Sequence, residues 1–120
     1  MAAGRYDITI EQGATFSLPI SYKDSNDAVI DLSSNYTARM KIKESAGGAV
    51  IASTESADSP KNTLSIALAA SGNNITITMS ATNTAALDFE TAIYDLELVT
   101  GSSVERIIEG RVKLSREVTV

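Results

Sequence analysis

Three groups of residues have types and spacings that chemistry can use. Asp24, Asn26 and Asp31 are oxygen donors within one short polar stretch, as a calcium loop would need. Such a loop wants a glycine at its sixth position and a bidentate glutamate at its twelfth. No glycine stands at the sixth position here, and Asn35 stands at the twelfth. The stretch reads better as a solvated hairpin tip. Asp88 with Glu90, and Asp95 with Glu97, are carboxylates two residues apart. On a strand that spacing puts both on one face, as paired acid–base catalysis requires. An outward sheet face desolvates neither group, so nothing separates their pKa values. A polar surface is the simpler reading.

Arg39, Lys41 and Lys43 make a basic stripe at the same spacing. It could contact a phosphate or an acidic partner. It could also pair across strands with Asp95 and Glu97, or with Glu105 and Glu109, at about 0.2–1 kcal/mol per pair. Three cations with no interleaved aromatics do not make a nucleic-acid surface.

The chain has no histidine and no cysteine. That removes the commonest general base, the commonest metal ligand, disulfides and thiol chemistry. Serines are many, but a serine nucleophile needs a base, and no motif supports a Ser–Lys pair. No glycine pattern opens a helix after a strand, so no dinucleotide site is read. We assign no catalytic, cofactor or metal residues. The reading is not an enzyme.

The 120 residues are enough for one domain, 1–120, that buries a two-layer core. Hydrophobic residues are 43% and aromatics only 5%, with no tryptophan. The core must therefore be mostly aliphatic. A net charge of −5 and a pI near 4.6 oppose binding to nucleic acid. No apolar run reaches the roughly 18–20 residues of a membrane helix, and no signal-type apolar core opens the sequence. The lack of cysteine fits assembly in a reducing cytoplasm. The sequons at Asn35 and Asn74 read as accidents of a Thr- and Asn-rich β protein.

Alternation with period two runs through the chain and supplies the elements that would carry these groups. "YDITI" alternates and stops at Gln12-Gly13. In "TFSLPISY", Phe16, Leu18, Ile20 and Tyr22 share one face, and Pro19 marks an edge or a bulge. In "YTARMKIK", Tyr36, Ala38, Met40 and Ile42 point inward. "LSIALAA" and "NITITMS" flank a turn at Ser71-Gly72-Asn73. Ser80–Leu87 is one helical turn or two, with Ser80 as its N-cap. The polar loop "ESADSPKN" separates two short strands.

Ala92–Leu114 reads as a hairpin. Tyr94, Leu96 and Leu98 point inward, and Val104, Ile108, Val112 and Leu114 return on the same face. Glu105, Glu109, Arg111 and Lys113 are expected on the other face. Gly110 predicts a bulge or a close backbone approach, with a change of sheet there. The fold class expected is all-β: an antiparallel, immunoglobulin-like β-sandwich of about eight strands with one short helical turn.

Three phrases carry a likeness beyond pattern. They are the opening "YDITIEQGATF" with "DLSSNYTARMKIK", the middle "ATNTAAL", and the closing "YDLELVTGSSVERIIEGRVKLSREVT". The chain resembles a family of small tailed-phage virion proteins across nearly its whole length. It is also similar in outline to the all-β N-terminal domain of phage upper baseplate proteins. The resemblance implies a structural role in the virion, as a tail, baseplate or fibre-connecting part. A capsid cement or decoration protein is the alternative. A carbohydrate-binding module for host adsorption is a third reading, which wants exposed aromatics. The implied partners are other virion proteins in a symmetric, multicopy or homo-oligomeric assembly formed in the host cytoplasm, with no membrane and no cofactor.

The contact surface expected combines the terminal strands and the basic stripe. Short apolar strands at the ends of a chain add readily to a neighbouring sheet. The candidate interface residues are therefore Ile8, Ile10, Arg39, Lys41, Lys43, Arg116, Val118 and Val120.

Overall fold

A computed structural model describes residues 4–54 and 62–118. Among these the chain is all-β, with ten strands in two sheets and one short helix. The strands are β1 (Gly4–Arg5), β2 (Ile8–Glu11), β3 (Phe16–Ile20), β4 (Thr37–Lys43), β5 (Val50–Ser53), β6 (Asn62–Thr63), β7 (Ser65–Leu68), β8 (Ile75–Met79), β9 (Thr91–Thr100) and β10 (Ser103–Ser115). The helix α1 (Ala81–Ala85) lies between β8 and β9.

The larger sheet runs β1-β10-β9-β4-β5-β6, and β2 also pairs with β10. The smaller sheet runs β3-β8-β7. The expected antiparallel pairing needs correction. β1 and β2 both run parallel to β10, and β6 runs parallel to β5. The reason is topological: the first strands fill the open side of the last strand and point the same way.

Alternation placed most of the core. Met40 and Ile42 of β4, Tyr94, Leu96 and Leu98 of β9, and Val112 and Leu114 of β10 are all buried. Ile75, Ile77 and Met79 of β8 are buried from the smaller sheet, and the two sets belong to one apolar cluster. Side chains on opposite faces of a strand alternate strictly, so one register places every residue. Pro19 sits on β3, the edge strand its missing N–H demands. Ser80 caps α1 as its sequence context predicts, its hydroxyl accepting from the Asn83 amide at 3.2 Å. The loop 55–61, most of "ESADSPKN", lies outside the described residues.

β10 departs from simple alternation. The pairing with β9 slips between Arg106 and Ile108, so Ile107 is an extra residue, and it is buried. Beyond the slip the faces exchange. Val104, expected inward, pairs with Val99 on the outer face and is 51% exposed. Glu105, expected outward, lies opposite buried Leu98. Gly110 is not the bulge, and β10 does not change sheets there. Gly110 serves close approach instead: a Cβ at this position would strike the Tyr6 carbonyl. At that point the edge strand is broken into β1 and β2. The Tyr6 amide still donates to the Glu109 carbonyl at 2.9 Å, and the Asp7 carboxylate accepts from the Arg111 amide at 3.0 Å.

Candidate interaction surface

The outer face of the larger sheet carries charged residues from β1, β4, β9 and β10. Its geometry follows from β9, whose odd residues Ile93, Asp95, Glu97 and Val99 face out while Ala92, Tyr94, Leu96 and Leu98 are buried. Register then lays out three rows. Arg39, Glu97 and Arg106 form one; Lys41, Asp95, Glu109 and Arg5 form the next; Lys43, Ile93 and Arg111 form the third. Lys113 of β10, opposite Thr91 and Thr9, extends the face.

The carboxylates of these rows are spoken for. Arg39 Nε donates to Glu97 at 2.6 Å. Arg106 reaches both Asp95 and Glu109 at 3.3 Å. Cross-strand pairing of Arg39 with Glu97, and of Lys41 opposite Asp95, is the internal arrangement that the spacing allowed. These pairs are half-buried to exposed and contribute about 0.2–1 kcal/mol each. The third row differs. Among the described residues the Lys43, Arg111 and Lys113 side chains form no ion pair, although the Asp7 carboxylate stands at the Arg111 backbone amide, 3.0 Å away. Between the second and third rows lies a shallow hollow of about 600 Å³, lined by Arg5, Lys41, Lys43, Ile93, Asp95 and Arg111, among others.

Arg5, Arg39, Lys41, Lys43, Arg106, Arg111 and Lys113 are seven of the ten cationic residues in the chain. Among the described residues, Glu11, Asp95, Glu97 and Glu109 share the face, and Asp7 stands at its edge, paired with Arg5 at 3.7 Å. An acidic protein thus carries one basic face. Spacing alone places the β4 stripe outward, and likewise Arg111 and Lys113 of β10. Arg106 joins them because the extra residue Ile107 reverses the alternation before it.

The other expected interface residues fall elsewhere. Ile8 and Ile10 are 4% and 1% exposed and belong to the core, because β2 is docked on β10. What β2 offers a neighbour is its backbone edge. Arg116 lies past β10 and pairs with Asp88 at 2.9 Å. Val118 is 93% exposed. Val120 lies outside the described residues. The structure brings Arg39, Lys41 and Lys43 together on one face and does not bring Arg116 or Val118 to it.

Two buried polar residues organise the rest, and pattern reading missed both. Asn74, fully buried, accepts from the Tyr22 amide at 2.7 Å and donates to the Tyr22 and Ile30 carbonyls at 2.9 and 2.7 Å. It clamps both ends of the acidic 23–31 loop. As a buried, fully bonded side chain it is closed to glycosylation in the folded protein. Thr84, also buried, accepts from the Gly13 amide at 3.1 Å and donates to the Ala14 carbonyl at 2.8 Å. Beside it, Gln12 donates to the Leu87 carbonyl at 2.9 Å and accepts from the Glu117 amide at 3.0 Å. Gly13 has φ +84°, and Glu117 packs against it where a Cβ would be.

The acidic loop itself holds no calcium-like arrangement. Asp24 accepts from the Asn26 and Ala28 amides at 2.8 and 3.1 Å, and Asp31 from the Ser33 amide at 2.9 Å. The Ser33 hydroxyl, then its amide, holds the Asp31 carboxyl below its ordinary range. No cluster of three or more metal-type ligands occurs among the described residues. No helix there is long and apolar enough to cross a membrane. No family model matches the chain, and no curated protein matches it either.

Proposed function

We propose that the chain is a structural protein of a tailed-phage virion, acting at the tail or baseplate as a connecting part and built as an immunoglobulin-like sandwich. One observation carries the reading: the three phrases behind the resemblance meet at one pole. Gln12-Gly13 of the opening phrase, Thr84 and Leu87 of the middle one, and Glu117 of the closing one are joined by direct hydrogen bonds. Residues tied to each other in this way fix a framework and do not await a substrate. The two-sheet architecture with a single apolar cluster fits a sandwich. The charged outer face gives such a part a surface for neighbours in a multicopy assembly, where modest contacts add up.

The test is location. Quantitative mass spectrometry of intact particles against purified tailless heads should find the protein with the tails. Equal recovery in both, with heads losing stability when the protein is deleted, would move it to a capsid cement role. Its absence from purified particles would end the virion reading.

A further inference from the structure

The basic face and the acidic loop lie on the same chain but cannot meet within one copy. The loop from Lys23 to Ile30 follows β3, in the smaller sheet, and the basic rows cover the outer side of the larger one. Tyr22, at the root of the loop, stands beside Glu105, near the Thr100 end of β9. The Lys43–Ile93–Arg111 row crosses β9 near its other end, at Thr91. Opposite charges are thus held at separate places by rigid backbone.

Each side has a net surplus, the row's two cations standing against the single Asp7 carboxylate at the Arg111 amide. Lys43 and Arg111 flank Ile93, so their Cα atoms lie about 10 Å apart, the width of two strand spacings. That span admits a carboxylate-bearing turn above an apolar floor. The loop presents Asp24, Asp27 and Asp31, all exposed, against Lys23 alone. Its conformation is set in advance by its own Asp24 hydrogen bonds and by the Asn74 clamp, so little ordering entropy is lost on docking.

The geometry points to head-to-tail docking of copies of this chain, the acidic 24–31 loop of one copy resting on the Lys43–Ile93–Arg111 row of the next. The contact is heterologous: different patches meet, so the copies form a ring if the rotation closes and a chain if it does not. It stands apart from the virion reading, since copies can dock in solution wherever the protein acts.

Sedimentation velocity on the purified protein tests it. At about 50 mM NaCl the unmodified chain should self-associate, and raising salt to about 500 mM should weaken association at least about tenfold, because the Debye length falls. A face variant, Lys43→Gln with Arg111→Gln, should be monomeric. A loop variant, Asp24→Asn with Asp27→Asn and Asp31→Asn, keeps side-chain acceptors for the loop amides and should also be monomeric. The loop variant is the sharper probe. It lowers the overall repulsion between acidic copies, so a non-specific charge effect would make it associate more. Mixed together, the two variants should form dimers and nothing larger, because one intact face remains to meet one intact loop. Matching far-UV spectra and melting curves establish that the variants are folded. An unmodified chain that stays monomeric at every salt concentration overturns the proposal. So does a loop variant that associates as well as the unmodified chain. Neither result bears on where the protein sits in a particle.

Discussion

The Tyr94 hydroxyl donates to the Tyr6 carbonyl, across Gly110 and at the break between β1 and β2. Burial pushes the Tyr94 phenol far above its ordinary value of 10.0, and the nearby Asp7 carboxylate adds to this. A raised folded-state pKa means that the neutral phenol is the form the fold favours. Its contribution is complete below the unfolded value near 10 and is lost as pH rises beyond it. Stability by urea denaturation should therefore fall above about pH 10, and Tyr94→Phe should flatten that fall. Tyr22, also raised by burial and then by Glu105, contributes to the part that remains. A Tyr94→Phe protein with an unchanged alkaline slope would refute the assignment.

Gly110 is required for space and not for turn geometry. Gly110→Ala places a methyl group into the Tyr6 carbonyl and should cost about 1–3 kcal/mol, as overpacked sites do. The loss should be accompanied by faster amide exchange at Tyr6 and Arg111, whose amides are bonded across the break. Wild-type exchange at both amides would mean that the edge strand tolerates the methyl.

Asn74→Ala strips three hydrogen bonds and leaves the Tyr22 amide and the Tyr22 and Ile30 carbonyls without their partner. An expected loss of about 3 kcal/mol follows from the cost of buried unsatisfied groups. Asn74→Asp should be at least as damaging, since a carboxylate would face two carbonyl oxygens. Chemical denaturation measures both, and an Asp variant close to wild type would show that the site is open to water.

Thr84→Val keeps the shape and removes the hydroxyl shared by Gly13 and Ala14. About 1–3 kcal/mol is expected, with loss of protection at the Gly13 amide. Gly13→Ala attacks the same pole from the backbone side, because φ +84° is hostile to a Cβ and Glu117 fills the space. Native-state exchange in either variant should report local opening around Gln12 and Glu117 before global unfolding. An opening spread evenly over the chain would sink the idea of a discrete pole.

A double-mutant cycle on Arg39 and Glu97 should yield about 0.2–1 kcal/mol at low salt and less at high salt. A coupling several times larger would mean that the outer rows form a stabilising network and not a solvated surface.

Much of this architecture is legible in the sequence, and the limits are physical. Strict alternation identifies Met40, Ile42, Tyr94, Leu96 and Val112 as core because one register places them all. The bulge at Ile107 is invisible to alternation, since one extra residue leaves both flanking segments with valid patterns of opposite phase. That is why Val104 and Glu105 exchange faces. The parallel docking of β2 on β10 depends on contacts far apart in sequence, so Ile8 and Ile10 look like exposed terminal residues until the partner is seen. Asn74 and Thr84 resemble any turn or helix residue by type. Only three-dimensional closure reveals what they bond. The basic face is legible in part: the β4 stripe, Arg111 and Lys113 show themselves by spacing, while Arg106 joins only through the bulge at Ile107.

The parallel pairing of Ile8 with Val112 also dictates when folding can finish. The two partners are separated by most of the chain, as are Asp7 and Arg111, 104 residues apart. Closing so long a loop is slow, and no local contact can substitute for it. During synthesis, β2 waits with its apolar side chains uncovered until β10 has emerged. β10 completes the pairing of β2, so the sheet closes only after residues 112–115 have left the ribosome.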